Sequence, residues 1–176
     1  MTVPADIREQ VRQRAGFVCE FCGVSETDNG AQLTIDHFQP HSKGGSDEFG
    51  NLVYSCVRCN QYKQDYWPLQ AGEPKLCNPR SGPFHQHFIE LEDGCLHPLT
   101  ASGAFTLQRL RLNRAPRILW RLRKRRQEEE LRLLEHYRDL AQLLAELHRQ
   151  KASLLEDQKK LLAEQQTLLR LLLGGN

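Results

Sequence analysis

The chain has 176 residues, of which 39% are hydrophobic and 26% charged, with a formal net charge of +2. This composition is ordinary for a soluble globular protein, and the length suits one domain with an appendage. No segment approaches the ~18 apolar residues of a membrane span, and the charged N-terminal residues lack the apolar stretch of a signal peptide. We therefore expect a cytoplasmic protein without a membrane partner.

The small net charge hides an uneven distribution of basic and acidic residues along the chain. Residues 109–126 contain nine basic residues among eighteen and no acidic one. Such a concentration is the expected footprint of a polyanionic partner, although a solvated helix face has a similar composition. Arg121 and Arg125 in this segment are candidate phosphate contacts.

The predicted elements of the first hundred residues are short. A proline at a first turn, apolar positions on one face and a glycine stop predict a helix over residues 4–13. Alternating, β-branched segments predict strands over 32–37 and 52–54, separated by a Gly-Gly loop. A helix over 56–67 follows, and a proline ends it. Residues 70–98 are rich in Pro, Gly and His, which predicts ordered loops with short strands.

The C-terminal third contains neither Gly nor Pro between residues 117 and 173 and predicts one long helix. Leucines at a constant spacing of seven indicate a coiled coil: Leu133, Leu140, Leu147, Leu154, Leu161 and Leu168. Such a helix would reach ~85 Å, too long to pack on a small domain without projecting. Further leucines beside these widen the apolar stripe, which favours a partner or a helix that folds back on itself.

Four of the six cysteines form two Cys-x-x-Cys pairs. Because a cytoplasmic setting is reducing, such pairs favour metal binding over disulfides. The spacing predicts one tetrahedral zinc held by Cys19, Cys22, Cys56 and Cys59. The alternative, four small buried hydrophobic residues, explains two correctly spaced pairs poorly. Cys77 and Cys95 stand alone and are interpreted as packing residues. A closed four-thiolate zinc would stabilise a small domain and would not catalyse.

A second set of polar residues lies between and beside the cysteine pairs. Hydrolysis of a phosphodiester needs a base, a cation that neutralises phosphate charge, and groups that orient both. His37, at the end of a predicted strand, is a candidate base. Asp36 and Asn60 offer oxygen ligands suited to Mg²⁺. Each residue alone, Asn51 included, would more often be a surface or turn residue, so the hypothesis depends on their joint arrangement.

In order and spacing these motifs resemble the zinc-bearing, four-cysteine branch of the HNH endonucleases, the ββα-metal superfamily. The resemblance is carried by the cysteine pairs, by Leu-Thr-Ile-Asp-His at 33–37, Pro-His-Ser-Lys-Gly-Gly at 40–45, Asn-Leu-Val at 51–53, and Asn60 with Lys63. It covers roughly residues 8–67. A looser likeness to bacterial HNH proteins with an extension continues to about residue 114.

The resemblance implies an α+β fold. A ββα-metal core with its zinc would occupy residues 1–70, a family-like extension 71–116, and the leucine-heptad helix 117–173. It also implies a metal-dependent DNA endonuclease, with RNA left open as a substrate. His37 would be the general base, Asp36 and Asn60 would bind Mg²⁺ or Mn²⁺, and Asn51 would brace the loop that carries His37. Position 60 departs from the pattern that gives the HNH family its name, because the third residue of that motif is often His and is Asn in this sequence.

Further interpretations concern partners. The expected phosphate contacts are Lys43, Arg58, Lys63, Arg121 and Arg125. The helix over 117–173 would join copies of the chain or dock a helical partner, in a bacterial, phage or mobile-element setting. Four histidines, His41, His85, His87 and His97, are interpreted as packing or hydrogen-bonding residues and not as ligands. The alternative function is a non-cleaving, zinc-stapled nucleic-acid-binding or adaptor protein docked through its coil.

Overall fold

The N-terminal helix places one apolar face on the first sheet of the molecule. The computed structural model describes residues 3–173. Helix α1 spans Ala5–Arg14 with Pro4 as its N-cap, close to the predicted 4–13. Its Val11 is fully buried, and the helix packs against the second strand. A one-turn helix, α2 (Glu26–Asn29), follows. It was not predicted and is capped by the Ser25 side chain.

The next elements form a ββα unit. Strands β1 (Thr34–His37) and β2 (Leu52–Ser55) pair antiparallel, with His37 opposite Leu52 at the open end. A 3₁₀ turn, His41–Lys43, lies in the loop between them. Helix α3 spans Val57–Lys63 and packs on β1. The strand, loop, strand and helix order is as predicted. Helix α3 is shorter than the predicted 56–67 because residue 64 leaves the helical conformation with a positive φ of 56°.

A second small layer follows the ββα unit. After a 3₁₀ turn at Phe84–Gln86, strands β3 (Phe88–Glu90) and β4 (Leu96–Pro98) form an antiparallel hairpin. This confirms the prediction of ordered loops with short strands over 70–98. Helix α4 (Ala101–Arg109) starts at a Thr100 cap. It approaches the hairpin closely, since a Cβ on Gly103 would lie 2.5 Å from the His87 carbonyl oxygen.

One hydrophobic core joins these two layers. Val11 and Leu52 from the N-terminal part belong to the same buried cluster as Phe88, Leu110 and Leu112. Met1–Arg123 accordingly forms one compact unit, and Lys124–Asn176 forms the other. The predicted segments 1–70 and 71–116 therefore share a core and fold together.

The last helix, α5, spans Ala115–Leu173, as the absence of Gly and Pro predicts. It is uninterrupted, which removes the alternative of a helix that folds back on itself. The heptad leucines from Leu133 to Leu168 are all exposed, by 47–64% of their surface. Among the described residues no helix is both long and apolar enough to cross a membrane.

The first turns of α5 are anchored by a buried arginine. Arg121 is 5% exposed, and its Nε donates to the Gly94 carbonyl oxygen at 2.6 Å. Its Nη atoms donate to the Leu112 carbonyl at 3.1 Å and to Asn113 Oδ1 at 3.0 Å. The prediction that Arg121 contacts phosphate is therefore wrong, because all three nitrogens are committed to internal acceptors.

We expect Arg121→Leu to lower the free energy of unfolding by about 2–4 kcal/mol, because it leaves buried acceptors without donors. Urea titration followed by circular dichroism measures the change. Arg123→Leu, at an exposed position two residues further on, is the matched control and should change it by less than about 0.5 kcal/mol. Equal effects of the two substitutions would contradict the anchoring role.

Candidate functional site

Four thiols converge in the core of the ββα unit. Cys19, Cys22, Cys56 and Cys59 are all buried, and their sulfurs lie within 4.8 Å of one another. The Cys22 and Cys56 sulfurs are 3.8 Å apart. Four sulfurs placed tetrahedrally 2.3 Å from a zinc ion would be ~3.8 Å apart, so this four-cysteine cluster fits zinc in both chemistry and size.

Local backbone structure aims each cysteine pair inward. In the first pair the Cys19 N–H donates to the Val24 carbonyl at 2.8 Å, and the Gly23 N–H donates to the Cys19 carbonyl at 2.7 Å. This tight turn needs a positive φ at Gly23, where it is 74°. In the second pair Cys56 is the N-cap of α3. Each pair therefore presents two sulfurs from one turn.

Charge in the four-cysteine cluster also favours a cation. The hydrogen bond with Cys19 lowers the pKa of Cys22 to about 7. A hydrogen bond with Cys19 also lowers the pKa of Cys56. The pKa of Cys19 itself is raised by its hydrogen bond with Cys22. Burial lowers the pKa of the neighbouring Arg114, but the sulfurs of the cluster, Cys59 foremost, raise it above its ordinary value. Thiolates this close repel one another unless a metal ion shares their charge.

The loop between β1 and β2, residues 38–51, is held by one asparagine. Asn51 Oδ1 accepts from the Gln39 N–H at 2.8 Å, and Nδ2 donates to the carbonyls of Gln39 at 3.0 Å and Ser46 at 2.8 Å. Gly45 lies under this brace, where a Cβ would come 1.8 Å from the Gln39 carbonyl oxygen. The structure thus places Asn51 as the brace of the loop that follows His37.

Three side chains meet at the mouth of this loop. His37 Nε2 lies 2.7 Å from Asp47 Oδ1, and His41 Nε2 lies 3.0 Å from the same oxygen. The two imidazole rings are 4.1 Å apart between centroids. The hydrogen bond with His37, and then that with His41, lowers the pKa of Asp47. We refer to His37, His41 and Asp47 as the His-Asp group.

Asp36 points to the other side of β1 and meets a buried lysine. Lys63 Nζ donates to the His37 carbonyl at 2.7 Å and lies 3.2 Å from Asp36 Oδ2. The side chains of Lys63 and Asp36 are 0% and 11% exposed. Burial raises the pKa of Asp36 and lowers that of Lys63, and each partner offsets part of the other's shift. The prediction that Lys63 contacts phosphate is wrong, because its ammonium is enclosed.

One oxygen of the Asp36 carboxylate, Oδ2, forms no hydrogen bond with the described residues. The Lys63 ammonium, 3.2 Å away, supplies a positive charge to this oxygen without a well-aligned hydrogen bond. Apart from this pairing, a carboxylate oxygen is the type of ligand that a hard divalent ion such as Mg²⁺ takes.

Comparison with known proteins agrees with this geometry. Residues 19–65 match the family model described as HNH endonuclease. The chain contains an HNH domain. No curated protein and no solved structure matches the chain. The matched segment runs from the first ligand of the four-cysteine cluster to just beyond α3, and the buried cluster is consistent with a zinc-bearing HNH domain.

Four further predicted residues remain, three of them in the HNH domain and one on α5. Asn60 is half-buried on α3, one turn before Lys63. Arg58 is exposed and bonds to Gln61 on the same helix. Lys43 is half-buried in the 3₁₀ turn, and Arg125 is half-buried on α5. Arg58, Lys43 and Arg125 stay predictions as phosphate contacts, and Asn60 stays a prediction as a metal ligand.

The structure brings two residues next to His37 that were not predicted to lie there. His41 was interpreted as a packing residue, and Asp47 was not considered. A local signal existed for His41, which lies four residues after His37. Asp47 had none, because only the brace at Asn51 and the close turn at Gly45 bring it back to His37. Cys77 and Cys95 lie outside both clusters, and burial raises the pKa of each.

The four-cysteine cluster makes a direct prediction about metal content. We expect the purified protein, dialysed against zinc-free buffer, to retain one zinc per chain by elemental analysis. Cys59→Ser should lose most of that zinc and the folded circular dichroism signal, because structural zinc supplies much of the folding energy of small domains. Cys77→Ser is the control and should keep both. Retention of zinc by Cys59→Ser would count against the cluster.

Proposed function

We propose that the protein is a metal-dependent endonuclease that hydrolyses DNA phosphodiesters, with His37 as the general base. The observation that carries the proposal is the hydrogen bond between His37 Nε2 and Asp47, beside a buried Asp36 in an HNH domain. A base oriented by a carboxylate, next to a candidate metal ligand, has the parts that phosphodiester hydrolysis requires.

The partner of His37 decides which ring nitrogen is basic. An ionised carboxylate only accepts hydrogen bonds, and the low pKa of Asp47 keeps it ionised. A neutral His37 therefore carries its proton on Nε2 and keeps the lone pair on Nδ1. We infer that Nδ1 takes the proton from the attacking water. His37 is 18% exposed, so a small molecule can reach the ring while most of it stays fixed.

The metal would be held by Asp36 and Asn60. When bound, Mg²⁺ or Mn²⁺ would neutralise charge on the phosphate and on the leaving 3′-oxygen. Lys63 contributes by positioning, because its ammonium offsets part of the rise that burial causes in the pKa of Asp36 and donates to the His37 backbone carbonyl. The expected products carry a 5′-phosphate.

Binding of the nucleic acid would depend on the exposed basic residues. Arg58 and Lys43 lie on the helix and the loop that flank β1. Two arginines of the basic segment stack on tyrosines: Arg109 lies over the Tyr66 ring at 4.6 Å, and the exposed Arg111 lies over Tyr62 at 5.0 Å. We assign phosphate contact first to Arg58, which is exposed, and to Lys43, which is half-buried in the 3₁₀ turn of the loop.

Plasmid cleavage tests the proposal. We expect the protein to nick or linearise supercoiled DNA with Mg²⁺ or Mn²⁺ and not with EDTA. His37→Ala should lower the rate by about 10²–10⁴-fold, the usual contribution of a general base.

The control is His97→Ala, which removes an exposed histidine of β4 outside the site. Its rate should match that of the unmodified protein. A His37→Ala variant as active as this control would overturn the assignment of the base. Binding of DNA without cleavage by the unmodified protein would favour the non-cleaving adaptor instead.

We also propose that α5 joins two or more copies of the chain. The heptad leucines Leu133–Leu168 are exposed along more than thirty residues, which is far more apolar surface than an isolated helix leaves in water. A second copy supplies an identical stripe. Positions four residues after the leucines include Lys151, Gln158 and Gln165. Polar seam residues of this kind set register at some cost in stability.

Analytical ultracentrifugation of the full chain measures self-association. We expect the double variant Leu147→Glu/Leu154→Glu to shift the protein to a monomer, because it places four like charges in a dimeric seam. The control Gln142→Glu/Ala163→Glu adds the same charge about 200° around the helix from the leucine stripe. It should stay associated. A monomer for the unmodified chain would contradict self-association and favour a helical partner protein.

A further inference from the structure

The His-Asp group has the form of a metal site separate from Asp36 and from the four-cysteine cluster. Its three potential ligand atoms, His37 Nε2, His41 Nε2 and Asp47 Oδ1, all lie within 4.8 Å of one another. Two imidazole nitrogens and one carboxylate oxygen suit first-row transition metals. Mg²⁺ prefers oxygen ligands and would gain little here.

A second, independent observation comes from the other nitrogen of His41. His41 Nδ1 lies 2.8 Å from the Gly45 carbonyl oxygen. A carbonyl only accepts, so Nδ1 carries a proton. In a neutral ring Nε2 then presents its lone pair to Asp47 Oδ1, at 3.0 Å. A positive charge between Nε2 and Oδ1 satisfies both atoms, and either a proton on His41 or a metal ion supplies it.

This arrangement is the one that metal-ligating histidines adopt. Their second ring nitrogen donates to a backbone carbonyl or carboxylate, which fixes the tautomer and orients the first nitrogen toward the metal. His41 has this orientation toward an anionic oxygen shared with His37. The Asn51 brace and the close turn at Gly45 hold the loop in place. The site is therefore largely formed before a metal arrives.

We propose that the His-Asp group binds a second transition-metal ion, Zn²⁺ as the probe, and that this ion inhibits the nuclease. The binding part is independent of the proposed function, whereas the inhibition rests on it. With three protein ligands and two of them about half exposed, the site should bind Zn²⁺ more weakly than the four-cysteine cluster, which offers four buried thiolates.

The inhibition follows from the tautomer of His37. Without Zn²⁺, Nε2 carries the proton toward Asp47 and Nδ1 keeps the lone pair that accepts a proton from water. Zinc takes the Nε2 lone pair, so the single proton of the neutral ring must reside on Nδ1. A protonated Nδ1 cannot act as a base. The same ring thus serves either as a base or as a zinc ligand.

Equilibrium dialysis tests binding without any reference to activity. The full chain, with zinc already in its four-cysteine cluster, is dialysed against increasing Zn²⁺ and analysed for metal. We expect a rise from one to two zinc ions per chain. His41→Asn should stay near one, and Asp47→Asn, which removes a different ligand, should also stay near one. His97→Asn should reach two. One zinc per chain in the unmodified protein at saturation would overturn the site.

Co²⁺ gives a spectroscopic check, since its visible absorption reports its ligands. The second Co²⁺ equivalent should lack the thiolate charge-transfer band of the first, because its ligands are nitrogen and oxygen. A thiolate band on the second equivalent would overturn the proposed ligand set. Circular dichroism of each variant verifies that loss of the second metal does not reflect unfolding.

The inhibition is tested by plasmid cleavage in Mg²⁺, measured with and without added Zn²⁺. The rate of each variant with Zn²⁺ is divided by the rate of the same variant without Zn²⁺. We expect at least tenfold inhibition of the unmodified protein and of His97→Asn, and less than twofold inhibition of His41→Asn. Equal inhibition of His41→Asn would overturn the switch. Absence of cleavage by the unmodified protein at zero Zn²⁺ would instead overturn the proposed nuclease function, and dialysis would still decide the site.

Discussion

The candidate site depends on one buried cation. Lys63, at the last turn of α3, donates to the His37 carbonyl and pairs with the Asp36 carboxylate, with its own side chain fully enclosed. This contact ties the end of the helix to the end of β1, where both proposed reactive residues lie. A buried ion pair adds little net stability because desolvation cancels most of the attraction, but breaking one partner is costly. The pair of Lys63 and Asp36 therefore specifies how α3 is placed relative to β1.

The HNH domain separates stabilisation from chemistry. The four-cysteine cluster is closed, buried and remote from solvent, which suits a metal that stabilises the fold. Asp36 and His37 lie at an open strand end, flanked by a loop whose backbone is held by Asn51. The adjacent positions of Asp36 and His37 point to opposite faces of β1, as side chains on a strand do. One side chain faces Lys63 and the other faces Asp47, so neighbouring residues acquire different environments.

The residues after the HNH domain complete its core. Leu110, Leu112 and Phe88 are buried with Leu52 and Val11, and Arg121 ties the start of α5 to the hairpin. A segment of about fifty residues has little apolar surface to bury by itself, which explains why the extension and the HNH motif form one unit. The heptad leucines all belong to the second unit, Lys124–Asn176, and all are exposed.

Local spacing alone determined a large part of this protein. The ββα unit, the thiol cluster and the long helix were predictable because each follows from residues close together in sequence. These are the two Cys-x-x-Cys turns, the strand that ends in Asp36-His37, and the heptad of leucines. The tertiary structure decided which charged side chains are exposed to solvent. Lys63 and Arg121 look like surface cations in sequence, yet both are buried, because each is enclosed by contacts that include a residue far along the chain, His37 for Lys63 and Gly94 for Arg121. Only the folded loop brings Asp47 and His41 to His37, since that convergence requires the Gln39, Gly45 and Asn51 contacts together.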